Sequence, residues 1–122
     1  MKKMIDANVI LRYLLNDNEE MADQAEQVIQ EGACTLPEII AEVLYVLKGV
    51  YHAERSDISD YLLKLVDLIY IENKDIIKSA LTLYGQSTLD FPDCILISYN
   101  WIRSQLVFSF DKKLNRELRI IQ

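Results

Sequence analysis

Four acids stand where a core-building sequence would not place them. Asp6 follows the apolar Met4-Ile5, and Asp111 follows Val107-Phe108-Ser109-Phe110. Both read as strand ends, and ligands of open parallel sheets gather outside the carboxyl ends of strands. Glu42 lies beside an apolar helical stripe, with Ile39 one turn before it and Tyr45 and Val46 one turn after. Asp93 has Leu96 and Ile97 one turn on. Neither helical acid has a Lys or Arg three or four residues away to pair with. Carboxylates are seldom buried without a partner. If the four converge they repel, at about 3 kcal/mol for two unit charges about 5 Å apart in an effective dielectric of about 20. A proton or a divalent cation relieves that repulsion. An all-oxygen donor set favours Mg²⁺ or Mn²⁺ over zinc. Each acid also has a structural role open to it. Asp6 and Asp111 can cap the helices that follow them, Asp90 reads as an N-cap with Asp93 at the third helical position, and Glu42 can be an ordinary exposed helix acid.

The elements that must position these acids follow from periodicity. Lys3 to Ile5 is a short strand approach to Asp6. Val9, Ile10, Tyr13 and Leu14 then recur at helical spacing. Asn16-Asp17-Asn18 stops that helix and caps the next, which carries Met21, Ala22, Ala25, Val28 and Ile29 and ends at Gly32. A strand is expected at Ala33 to Leu36, then a helix opened by Pro37 and running to about Tyr51. Ser56 is expected to cap a helix to about Asp67, followed by a short strand at Ile69 to Ile71 and a helix from Asn73 to Gly85. Asp90-Phe91-Pro92-Asp93 opens the next helix, to about Arg103. Leu106 to Phe110 is expected as a strand buried on both faces, with a short helix at 112–116 and a last strand at Leu118 to Ile121. Strands alternating with helices imply an α/β fold with a mostly parallel sheet covered on both sides.

Composition allows one domain over 1–122. The chain has 122 residues, 51% of them hydrophobic, enough to fill a core. No stretch reads as a membrane span or secretory signal, so a cytoplasmic location without membrane contact is expected. Cys34 and Cys94 read as small buried hydrophobes, since two cysteines without metal spacing make no scaffold. The single histidine, His52, is placed on a helix surface and excludes catalysis by a histidine pair. Net charge is −6, unfavourable for a polyanionic ligand, but two divalent ions would bring it to −6 + 4 = −2. The charge is also uneven: six acids and no base from Asp17 to Glu31, five bases against two acids from Arg103 to Arg119.

Met4-Ile5-Asp6-Ala7-Asn8-Val9-Ile10-Leu11-Arg12, Ile40-Ala41-Glu42-Val43-Leu44, Leu89-Asp90-Phe91-Pro92-Asp93-Cys94 and Val107-Phe108-Ser109-Phe110-Asp111-Lys112-Lys113 resemble, in order, the four motifs of PIN domains. The resemblance is to the VapC toxins of toxin–antitoxin pairs in particular. Ala7 stands where that family often has Thr, and Cys94 where it usually has Ala. The resemblance implies a three-layer PIN-like fold, a short mostly parallel central sheet flanked by helices. It implies hydrolysis of RNA phosphodiesters with one or two Mg²⁺ or Mn²⁺ ions held by Asp6, Glu42, Asp93 and Asp111. Asn8, Asp90 and Ser109 would orient these acids. Arg12, Lys112, Lys113 and Arg116 are candidate phosphate contacts. A homodimer and a cognate antitoxin are implied as partners, with DNA met only through the antitoxin. Tyr45, Tyr51, Tyr61 and Trp101 offer aromatic surface for the dimer.

Other classes fit less well. A haloacid-dehalogenase-like phosphatase needs a second Asp two residues after its nucleophile, where this chain has Asn8. An RNA-processing PIN nuclease without an antitoxin keeps the same chemistry. An inactive PIN-like scaffold or metal-binding module would keep the acids and lose the cleavage.

Overall fold

A computed structural model describes residues 2–119. The elements run β1 (Lys3–Met4), α1 (Ala7–Leu15), α2 (Glu19–Gly32), β2 (Ala33–Cys34), α3 (Pro37–Gly49), α4 (Arg55–Leu68), α5 (Lys74–Gln86), α6 (Phe91–Arg103) and α7 (Lys112–Glu117). The fold is helix-rich around a very short parallel sheet. Lys3 pairs with Ala33 and Met4 with Cys34. The strand expected at Ile69 to Ile71 contributes one parallel bridge, Tyr70 to Cys34. Its amide donates to the Ala33 carbonyl at 2.9 Å, and its carbonyl accepts from the Thr35 amide at 3.1 Å.

Local chemistry accounts for most helix ends. The Asn18 side chain accepts from the Met21 amide at 3.1 Å and starts α2. Asn16 takes the left-handed conformation that ends α1, and Gly32 has φ +108° at the end of α2. Pro37 occupies the first turn of α3, where its missing N–H costs nothing. A continuous core draws on Ile5, Ile10, Ile40, Leu44, Leu62, Leu81, Phe91, Ile97 and Leu114, so every helix but α2 gives it at least one of these side chains, and α2 adds Ile29. Helix α1 packs on α2 and α3, and α5 lies between α4 and α6.

Several expectations are corrected. Ser56 does not cap α4: it lies inside the first turn, and Glu54 occupies the cap position without a side-chain hydrogen bond. His52 is not on a helix but follows α3, exposed, with φ 55°. Gly85 lies within the last turn of α5 and does not end it. Cys94 is buried as expected, but Cys34 is only half-buried. Trp101 is half-buried, donating to the Glu117 carbonyl at 2.7 Å beneath the Arg119 guanidinium.

The largest correction concerns Leu106 to Phe110, which forms no strand among the described residues. Val107 and Ser109 turn inward, while Leu106, Phe108 and Phe110 are exposed, Phe110 at 92%. The segment has a strand's two-residue alternation without a ladder partner. Side-chain amides replace the ladder at its ends: Asn100 donates to the Gln105 carbonyl at 3.0 Å and Asn115 to the Ser109 carbonyl at 2.9 Å. Of the last expected strand, Leu118 and Arg119 are outside any strand, and residues 120–121 lie outside the described residues. No described helix is long and apolar enough to cross a membrane.

Candidate active site

Asp6 is fixed by the sheet beneath it. The Ile5 amide donates to the Cys34 carbonyl at 2.9 Å, and the Thr35 hydroxyl donates to the Ile5 carbonyl at 2.8 Å. Asp6 then caps α1, one carboxylate oxygen accepting from the Val9 amide at 3.0 Å. Asp111 does the same for α7, accepting from the Leu114 amide at 3.0 Å. The Ser109 hydroxyl accepts from the Asp111 amide at 2.9 Å and holds that turn. Capping and cation binding therefore do not exclude each other here. Each cap occupies one oxygen, fixes the carboxylate's orientation, and leaves the other oxygen unbonded among the described residues.

The third motif behaves differently. Asp90 occupies the cap position of α6 but makes no cap hydrogen bond, contrary to the capping role read from its place in the sequence. Its carboxylate is exposed and free to act on its neighbours. Asp93, in the first turn, is half-buried. Burial raises its pKa, and the nearby charges of Asp111 and Asp90 raise it further. The third and fourth motifs thus meet in one another's field. Glu42 is exposed on α3 and makes no ion pair among the described residues. One turn along α3, Tyr45 has its pKa raised by partial burial and then by Asp90 and Asp93. That phenol links the face carrying Glu42 to the acids of α6, and it keeps its proton at neutral pH.

Other expected residues are placed less centrally. Asn8 makes no hydrogen bond to Asp6 among the described residues; the Val9 amide orients that carboxylate instead. Arg12 is paired with Asp17 at 2.8 Å, and its Nε is buried without a partner. Lys112 is exposed. Lys113 donates to the Thr88 hydroxyl at 2.6 Å, tying α7 to the loop before α6. Lys113 and Arg116 line a cleft of about 340 Å³ with Ser87, Thr88, Leu89 and Glu117. A larger groove of about 380 Å³ between α1, α2 and α4 is lined by none of the four acids.

Tyr45, Tyr84 and Thr88 were not picked out by the sequence as site residues. Tyr84 is 1% exposed, its hydroxyl meets no partner among the described residues, and burial raises its pKa. It too is a protonated donor within the field of Asp90. Cys94 is inert, its thiol pushed up to about 11 by burial.

No three of the described His, Cys, Asp or Glu side chains are gathered closely enough to hold an ion as placed. The donor chemistry nevertheless fits a hard cation. The candidates are carboxylates alone, two of them oriented by main-chain N–H groups with one oxygen to spare. The half-buried Asp93 is disfavoured in its ionised form unless positive charge compensates it.

Residues 3–117 match the PIN domain, a span that includes all four motifs, and the chain belongs to the PIN family. It is similar to a VapC ribonuclease of Aquifex aeolicus (strain VF5), with 31% identity over 101 residues, covering 76% of this chain and 74% of that protein.

Proposed function

We propose that this chain acts as one PIN unit and is a VapC-type endoribonuclease that depends on Mg²⁺ or Mn²⁺. The observation that carries this reading is the PIN match over residues 3–117 with all four acids in their motifs, supported by the likeness to a VapC ribonuclease and by the half-buried Asp93 near Asp90 and Asp111. Asp6, Glu42 and Asp93 would hold the ion, and Asp111 would share it or hold a second. Such an ion supplies an activated water and positive charge for the scissile phosphate. The chain's own residues supply orientation. Val9 and Leu114 amides fix Asp6 and Asp111. Tyr45, exposed beside Asp90 and Asp93, offers a proton to a phosphate oxygen at the rim. Lys113 and Arg116 hold flanking phosphates in the cleft beside Thr88. In this reading the short parallel sheet and the helices on its two sides form the three layers of the PIN fold. Exposed Val50 and Tyr51 beyond α3, with Tyr61 on α4, offer surface for a homodimer. A cognate antitoxin is the second protein partner.

The test is cleavage itself. Purified protein is expected to cut structured RNA with Mn²⁺ or Mg²⁺ and to stop when EDTA is added; cutting that persists in EDTA after exhaustive metal removal overturns the reading. Phosphate binding in the cleft has a separate signature. Arg116→Ala is expected to raise KM several-fold with kcat nearly unchanged. It should also flatten the log–log salt dependence of RNA binding by about 0.7, the value for one phosphate no longer neutralised. An unaltered salt slope removes Arg116 from the RNA path.

A further inference from the structure

Arg55, which belongs to none of the four motifs, begins α4 with its positive charge at a helix N-terminus, where the helix dipole disfavours it. It is half-buried, and no carboxylate pairs with it among the described residues. Its guanidinium lies 3.7 Å from the centre of the Tyr84 ring. Its Nε donates to the Tyr84 carbonyl at 3.0 Å, and a terminal nitrogen donates at close range to the Leu89 carbonyl. One rigid fork thus spans the turn from the end of α5 to the residue before Asp90.

At the Leu89 carbonyl that turn has no other close hydrogen bond among the described residues. Asp90 gives α6 no side-chain cap, so the entry of this helix is not fixed in the usual way. The remaining ties are the Lys113 ammonium to the Thr88 hydroxyl at 2.6 Å, one residue before Leu89, and two long contacts, the Leu89 amide to the Ser87 hydroxyl at 3.3 Å and the Cys94 thiol to the Leu89 carbonyl at 3.9 Å. The fork reaches the turn because α5 lies hard against α4. A Cβ on Gly85 would stand 2.6 Å from the Ser59 Cβ, so only glycine permits this approach.

We propose that Arg55 is a positioning residue that fixes the start of α6, and so the placement of Asp93, by bridging the Tyr84 and Leu89 carbonyls. This rests on the proposed role of Asp93 in holding the catalytic ion. Releasing Asp90 from capping is part of the same design: because Arg55 anchors the turn, the Asp90 carboxylate remains free to face Asp93. Lysine cannot substitute, since a single ammonium lacks the planar fork that reaches two carbonyls while stacking on a ring.

The test compares wild type with Arg55→Lys by RNA cleavage and by amide hydrogen exchange. In Arg55→Lys, kcat is expected to fall about 10–100-fold, the usual cost of losing a group that orients a ligand. KM should stay within about 3-fold, since the cleft cations are untouched. Exchange should quicken at Cys94, whose amide donates to the Asp90 carbonyl at 3.0 Å, while the amides of α1 and α2 keep wild-type protection. Wild-type exchange at Cys94 overturns the proposal, as does acceleration spread evenly over all helices. If wild type itself cuts no RNA, the nuclease reading fails while the exchange data still judge Arg55. Should Arg55→Lys not fold, Arg55→Gln is read in the same way. Loss of the fold in both counts against positioning and assigns Arg55 to general stability.

Discussion

Replacing Asp93 by Asn is expected to lower RNA cleavage by at least about 100-fold while making the metal-free protein more stable. The first effect follows from losing a proposed ion ligand, which should exceed the loss of about 10–100-fold that follows removal of an outer partner. The second follows from the sign of the pKa shift. Burial, Asp111 and Asp90 all raise the Asp93 pKa above the value it has in an unfolded chain. The folded state therefore binds this proton more tightly, and the resulting stability is present in acid and lost as pH rises through the folded value. Near neutral pH the ionised Asp93 is a net cost to the fold, and Asn removes it. A melting temperature above that of wild type is therefore expected near neutral pH. The gain should vanish in acid, where wild-type Asp93 is already neutral. Few single substitutions abolish activity and stabilise together; an ordinary structural acid would show neither change or would lose both. A stable, fully active Asp93→Asn protein removes Asp93 from the chemistry.

The same residues show what could be read beforehand. The apolar periodicity and the Asn and Pro signals placed α1, α2 and α3 because helix caps are local, decided within four residues. The two strand-end acids were legible as both caps and ligands, and the fold keeps both possibilities. The segment 106–110 misled because five mostly apolar residues say nothing about whether a neighbouring strand is there to pair with. Its burial alternates as a strand's does, and only tertiary structure decides the ladder. Asp90 carried a capping signal that its side chain does not use, because a distant arginine does the anchoring. Arg55 reaches carbonyls 29 and 34 residues away, beyond any sequence period. Its one trace was a cation at a helix start, against the dipole. Tyr84 and Thr88 left none, since a buried phenol and a loop hydroxyl look alike in a core, a turn or a site.

Adding Mn²⁺ or Mg²⁺ is expected to raise the melting temperature of the wild-type protein by about 10 °C when the ion is at about 100 times its Kd. At that ratio linkage supplies about 2.7 kcal/mol, and a domain of this size shifts by about 4 °C for each kcal/mol. The physical source is the repulsion just described. Asp93 lies in the field of Asp111 and Asp90 and makes no ion pair among the described residues, and an ion held by Asp93 and Asp111 turns that repulsion into shared attraction to one centre. Two features limit the cost of forming that centre. Asp6 and Asp111 are already oriented by their caps and need no reordering to present the second oxygen. Glu42 is exposed and makes no ion pair among the described residues, so it can turn toward an ion without breaking one. Because the side chains as placed do not close around a cation, binding must move the uncapped acids, Glu42 and Asp93, and the shift should saturate at one or two ions per chain. Sodium chloride at matched ionic strength screens the same charges without bridging them and should give a much smaller rise. The decisive comparison is Asp93→Asn, in which the divalent shift should collapse although the protein starts from a higher melting temperature. An equal divalent shift in both proteins would mean that the ion binds elsewhere, and the carboxylate site would have to be abandoned.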